Sequence, residues 1–244
     1  MDRISGKTRY WGVDMEHKVL PRSEWLEARK ELLQKEKEFT KLRDELTQLR
    51  RDLPWEAVTK SYTFDGPSGK MSLADLFAGR SQLIVYHFMF NPGWDQGCKH
   101  CSFWADHYSG MIPHLNHRDV TFVCLSRAPL EKLEAFKQRM GWTFPWFSSG
   151  QTDFNYDFQA SFTKEEVEKK QAYYNYTLQN PMSTDREGVS VFYKDEEGQI
   201  FHTYSTYARG IDMVNITYQF LDLVPKGRQD DRGLRHRDQY VPKI

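Results

Sequence analysis

The chain has only 3 cysteines in 244 residues, far too few for a disulfide scaffold. It has no excess of either charge. Its 34 Lys and Arg balance 34 Asp and Glu, so bulk electrostatics make no case for nucleic acid or a membrane surface. No apolar run approaches the roughly 20 residues that a spanning helix needs. Met1 to Leu20 lacks the apolar centre of a signal peptide, so a cytoplasmic, reducing location is expected. No glycine-rich nucleotide fingerprint follows a strand, and no cofactor is expected. Glycine and proline are missing altogether from Ser23 to Arg51. Aromatic residues, by contrast, are plentiful at 15%, which suits a large core.

The stretch without glycine or proline predicts a long helix. Ser23 stands where a cap is expected, after Pro21, and Pro54 closes the segment. Apolar residues recur at Trp25, Ala28, Leu32 and Phe39, then at Leu42, Leu46, Leu49 and Leu53. The spacing alternates three and four, with Lys35 the one interruption, and gives a narrow seam on an otherwise charged helix. That seam is expected to be buried, either against its own domain or in a homodimer. The organisation expected is a helical arm over 1–54, an α/β domain over 55–227 with an insertion at 151–187, and a polar surface tail over 228–244.

The chemistry concentrates between Gln82 and Ser109. An apolar run from Leu83 to Phe90 predicts a strand buried on both faces. Asn91-Pro92-Gly93 then breaks it, and Cys98-Lys99-His100-Cys101 opens a helix that Pro113 is expected to end or kink. Cys98 at a helix start meets free backbone N–H groups, with Lys99 and His100 adding nearby positive charge. A thiol so placed falls from roughly 8.5 to between about 3.5 and 7.5. The chemistry implied is thiol–disulfide exchange, with Cys98 attacking and Cys101 resolving. A zinc site usually shows a second Cys-x-x-Cys or a paired His motif, and none is present. Inert packing cysteines are the plain alternative.

Further along, Val120–Leu125 reads as a second buried strand with Cys124 in its core, and Pro129–Met140 as an amphipathic helix closed by Gly141. Phe144–Ser148 is a short strand. The insertion carries Thr163-Lys164-Glu165-Glu166, a capping-box start, and reads either as a wall of the cysteine site or as a satellite cluster on the N-terminal helix. Val189–Lys194 and Gln199–Ser205 form a hairpin, and Asp212–Val224 a closing helix. Strand, helix, strand, helix means a parallel β-α-β unit with right-handed crossovers.

A parallel β-α-β half bearing Cys-x-x-Cys, then a hairpin and a last helix, resembles the thioredoxin fold. The lead-in, with its Gly69-Lys70 turn and Ser72-Leu73-x-Asp75-Leu76, is similar to the peroxiredoxin-like branch. The expected class is thus a thioredoxin-like three-layer α/β sandwich with a mixed central sheet, preceded by a long helix. Nearly the whole chain looks like a bacterial family of predicted dithiol–disulfide oxidoreductases, catalogued as domain of unknown function 899. Tyr86-His87-Phe88-Met89-Phe90, Ser126-Arg127-Ala128-Pro129 and His202-Thr203-Tyr204-Ser205 are among the stretches that carry the likeness. The resemblance implies Cys98 and Cys101 as the working pair, a protein or small-molecule disulfide or thiol as substrate, and a separate reducing partner. His100 before the second cysteine is similar to the pattern in oxidising thioredoxin-fold proteins. Trp94, Arg127 and Arg209 join Lys99 and His100 as supporting candidates. Two departures stand out. The place of the thioredoxin cis-proline falls at Gly188 or Val189, with no proline. Asp95 stands where peroxiredoxins carry threonine, with Pro92 one residue out of register. The alternatives are a thiol peroxidase using Cys98, a copper or other metal site built from Cys98, Cys101 and His202, and a binding module with incidental thiols.

Overall fold

A computed structural model describes residues 6–10, 13–229 and 233–240. The chain divides into two compact units, Met1–Leu53 and Pro54–Ile244. In the first, β1 (Gly6–Tyr10) and β2 (Val13–His17) pair antiparallel, and α1 (Arg22–Arg51) follows. The helix starts ahead of the expected cap. Trp25 N–H donates to the Pro21 carbonyl at 2.9 Å, so Ser23 lies within the first turn. No residue of α1 is buried, and Leu32 and Phe39 are 55% and 65% exposed. Helical period fixes which residues share a face, and says nothing of what covers that face.

The second unit begins with β3 (Glu56–Ala57), β4 (Thr63–Gly66) and β5 (Gly69–Ser72). A single 3₁₀ turn at Asp75–Phe77 leads to β6 (Gln82–His87). Next come α2 (Lys99–Ala105), α3 (Tyr108–Asn116), β7 (Val120–Ser126), α4 (Leu130–Met140) and β8 (Trp146–Ser148). The insertion holds α5 (Phe154–Asp157), α6 (Lys164–Glu168) and the small pair β9 (Ala172–Tyr174) and β10 (Thr177–Gln179). The hairpin β11 (Gly188–Lys194) and β12 (Ile200–Tyr207) and the short α7 (Ile216–Leu221) complete the unit. The main sheet has 8 strands in the order β3-β12-β11-β6-β7-β8-β4-β5. Strand β6 runs parallel to β7, and β7 to β8, while β11 is antiparallel to both β6 and β12. The central order β12-β11-β6-β7, with helices after β6, β7 and β12, is the thioredoxin-like arrangement. Strands β8, β4 and β5 widen the sheet on one side.

The two faces of β6 alternate, as a strand requires. Tyr86 joins Cys101, Trp104, Phe136 and Trp146 in one core, and Leu83 and Val85 join Phe154, Phe158 and Phe192 in the other. Burying aromatics of this size contributes about 1.5–3 kcal/mol each.

Several boundaries depart from expectation. The ladder ends at His87, although Phe88 N–H still reaches the Leu125 carbonyl at 2.9 Å. Pro113 lies inside α3 and does not end it. The closing helix is reduced to a 3₁₀ stretch, Ala208–Val214, and the six residues of α7. The capping box at Thr163 is present, its hydroxyl accepting from Glu166 N–H at 3.2 Å. The insertion packs on the hairpin strands. Its Phe154 and Phe158 rings pack on Phe192 at 5.9 and 5.0 Å, and its Tyr174 on Tyr207 at 5.3 Å. The polar tail is likewise no free appendage, because His236 is buried.

Candidate functional site

The loop from Asn91 to Gly97 carries the chain from β6 to α2, and backbone contacts fix where it ends. Cys98 N–H donates to the Met89 carbonyl at 3.0 Å, and Met89 N–H donates to the Cys101 sulfur at 3.4 Å. One peptide residue thus fastens both cysteines. Gly97 is obligatory here, because a Cβ would sit 2.7 Å from Phe88 Cε1 and 2.9 Å from Phe136 Cε1. Its carbonyl accepts from His236 Nε2 at 2.9 Å, and the His236 ring lies edge-on to Phe136 at 5.3 Å. Arg139 clasps Asp238 with two hydrogen bonds, of 2.7 and 3.1 Å, and Arg237 donates to the Met140 carbonyl. The C-terminal segment therefore straps the loop that presents Cys98.

Cys98 occupies the N-cap of α2 and is partly exposed, and Cys101 is buried one turn further in. Both thiols are free, as is buried Cys124. The Cys101 thiol donates a hydrogen bond to the Cys98 sulfur, which is the main reason that the Cys98 thiol falls to about 7. Burial opposes the shift, and the backbone N–H groups of Cys101 and His100 reinforce it. Burial, followed by the bond to Cys98, pushes Cys101 well up. The pair is thus asymmetric: an accessible sulfur that ionises near neutrality and a buried one that keeps its proton. Beside Cys101, burial raises the Tyr86 phenol far above its ordinary value, and Cys101 adds to the rise.

The Cys101 thiol and the backbone N–H groups of Cys101 and His100 act together on the Cys98 sulfur, which lies beside Lys99 and His100 in the chain. Trp94 packs against the core cluster that contains Cys101, and its carbonyl accepts from Lys132 at 3.0 Å. Arg127 serves a different partner. Its guanidinium forks onto Asp185 with bonds of 2.7 and 2.8 Å and also donates to the Tyr156 hydroxyl at 2.6 Å. Asn91 donates to the same carboxylate at 2.8 Å, so this ion pair ties the loop before the cysteines to the end of the insertion. Arg209 is 89% exposed and pairs with Asp212 at 3.4 Å.

His202 does not join the cysteines. Its Nε2 is 2.7 Å from the Ser205 hydroxyl, and its ring packs at 5.1 Å on Phe158 and 5.5 Å on Phe192, in the core on the other face of the sheet. Strand alternation separates the three proposed ligands. No group of three or more His, Cys, Asp or Glu among the described residues could hold a metal ion. His87 faces that second side too, with Nε2 2.9 Å from the Ser190 hydroxyl.

Three contributors escaped the sequence. The Met89 backbone and His236 carry no motif. Glu187 does have a signal, because it directly precedes Gly188, near where thioredoxins place their proline. Its charge opposes ionisation of Cys98 and of Cys101. Gly188 itself pairs with both His87 and Tyr207, and a Cβ there would lie 2.5 Å from the Tyr207 ring. A surface cavity of about 510 Å³ is lined by Lys70, Arg127, Leu130 and Gln151 among others and includes neither Cys98 nor Cys101. No helix among the described residues is long and apolar enough to cross a membrane.

Strand order and site together define a thioredoxin-like domain with a dithiol at the start of its first helix. The chain belongs to the family described as "Bacterial protein of unknown function (DUF899)", whose model matches residues 14–240. No curated protein matches it in sequence. Solved structures similar to it include peroxiredoxin Q of Xanthomonas campestris, at 15% identity and TM-score 0.46, over 70% of this chain and 98% of that one. Peroxidoxin BcpB from Mycobacterium tuberculosis gives 12% and 0.45, over 69% and 97%. A yeast mitochondrial 1-Cys peroxiredoxin gives 16% and 0.41, over 70% and 78%.

Proposed function

We propose that this protein is a thiol–disulfide oxidoreductase that works through Cys98 and Cys101. The observation that carries the reading is the asymmetry of the pair, with a partly exposed Cys98 lowered to about 7 and a buried Cys101 pushed well up. The Cys98 thiolate attacks one sulfur of a substrate disulfide. A mixed disulfide forms and the other substrate sulfur leaves as thiolate. Cys101 then loses its proton and attacks the Cys98 sulfur. The internal disulfide forms, and the substrate departs as a dithiol. Two electrons have passed from protein to substrate, and an external dithiol restores the pair by the reverse steps. The chemistry suits a reducing cytoplasm, and the substrate is a protein or small-molecule disulfide.

Mild oxidation followed by mass spectrometry should show a loss of about two daltons confined to the peptide pair with Cys98 and Cys101. A Cys101→Ser variant should accumulate mixed disulfides at Cys98. Oxidation confined to Cys124, or a Cys101→Ser variant that traps nothing, would overturn the reading. Peroxide consumption in stopped flow, with no turnover of disulfides, would favour a peroxidase instead.

A further inference from the structure

We infer that α1 is one strand of a parallel, in-register two-stranded coiled coil, and that its partner is a second copy of this chain. The apolar seam of the helix is exposed and is interrupted once, at Lys35. Trp25, Leu32, Phe39 and Leu46 are spaced by seven, as are Ala28, Lys35, Leu42 and Leu49 between them. These are the a and d positions of four heptads. Phe39, Leu42 and Leu49 are 65%, 61% and 65% exposed. The a positions hold Trp25, Leu32, Phe39 and Leu46, and the d positions hold Leu42 and Leu49 beside Ala28 and Lys35.

The flanking charges select the occupant and its direction. The g positions are all acidic: Glu24, Glu31, Glu38 and Glu45. Three of the four e positions are Arg29, Arg43 and Arg50, and the fourth is Glu36. In a parallel pair each g residue meets the e residue five positions on in the second copy. Glu24 then faces Arg29, Glu38 faces Arg43, and Glu45 faces Arg50, each twice by symmetry. Only Glu31 and Glu36 repel, and Glu36 already accepts from Arg29 of its own helix at 2.8 Å. In an antiparallel pair g faces g, so acid would meet acid along the whole flank. The surface is complementary to itself in one direction only. Lys35, the polar residue on the seam, also accounts for its charge. Its ammonium donates to Glu38 at 2.9 Å along the same helix, and a lone polar residue on such a seam fixes register.

The experiment is sedimentation equilibrium on the full chain across a concentration series. Wild type should approach twice 29.0 kDa. The half-swap Glu38→Arg with Glu45→Arg turns attraction into repulsion in a parallel pair, and should raise the dissociation constant on the order of tenfold or more. Adding Arg43→Glu and Arg50→Glu restores the pairing and should restore the wild-type constant. Glu38 is exposed and its ion pair with Lys35 lies at the surface, so the fold should tolerate the change. A wild type that stays monomeric throughout overturns the proposal. So does a half-swap that dimerises like wild type, which would mean an antiparallel or unrelated interface. A full swap as weak as the half-swap overturns it as well.

Discussion

His236 donates its Nε2–H to the carbonyl of Gly97 over 2.9 Å, joining residues 139 positions apart and holding the peptide directly before Cys98. The bond is buried, and the ring also packs on Phe136. The segment after residue 232 is thereby part of the apparatus that presents the reactive sulfur.

His236→Ala should destabilise the protein by about 1–3 kcal/mol, since a buried carbonyl loses its donor. It should also shift the midpoint at which Cys98 becomes reactive to iodoacetamide, because the N–H groups around that sulfur depend on the loop. A melting loss with an unshifted alkylation profile would confine His236 to a structural role.

The alkylation rate of Cys98 should rise with pH through a midpoint of about 7. Cys101→Ala removes the thiol that donates to it, so the midpoint should climb toward the ordinary value near 8.5. His100→Ala should move it less, because the backbone N–H of residue 100 survives the substitution. If His100→Ala moves it further than Cys101→Ala, side-chain charge governs the thiolate after all. Stabilising the thiolate stabilises the reduced form, so glutathione equilibration should give a potential above roughly −270 mV.

Arg127→Ala should cost about 3–5 kcal/mol, because it leaves the buried Asp185 carboxylate without its partner. The Asp185 carboxyl is held below its ordinary range against the opposing effect of burial, by Arg127 and by hydrogen bonds from Asn91 and Ser161. That stabilisation is present above the unfolded-state value and is lost as pH falls through the lower folded one. The Cys98 alkylation midpoint should stay close to wild type. Chemical denaturation and alkylation on one preparation test both halves.

Burial lowers His87 to about 3, with His202 adding to the effect. From pH 6.5 down to about 3 the folded chain binds fewer protons than the unfolded one at this site, so stability should fall as pH drops through that window. His87→Gln keeps a polar group near Ser190 and removes the titration. Its stability should depend less steeply on pH over the same range. Equal slopes for the two proteins would exclude His87 as a source of acid sensitivity.

The sequence by itself determined the elements and the pair. Runs of Val, Leu, Ile and Phe bounded by breakers marked β6 and β7. The gap between Ser23 and Arg51 marked α1, and Cys-x-x-Cys after a loop put Cys98 at a helix start. These are local signals, because period and turn chemistry act over a few residues. Only the tertiary structure decided what surrounds the sulfur. Arg127 is a supporting candidate by sequence, yet Asp185 arrives from 58 residues away and takes its guanidinium. His202 looked like a ligand because histidine binds metal, yet strand alternation turned it to the other face. The tail looked like a solvated end, yet His236 met a buried carbonyl that only the folded loop offers. Hydrogen-bond partners are chosen by distance in space, and a one-dimensional pattern carries that information only when the partners lie close along the chain.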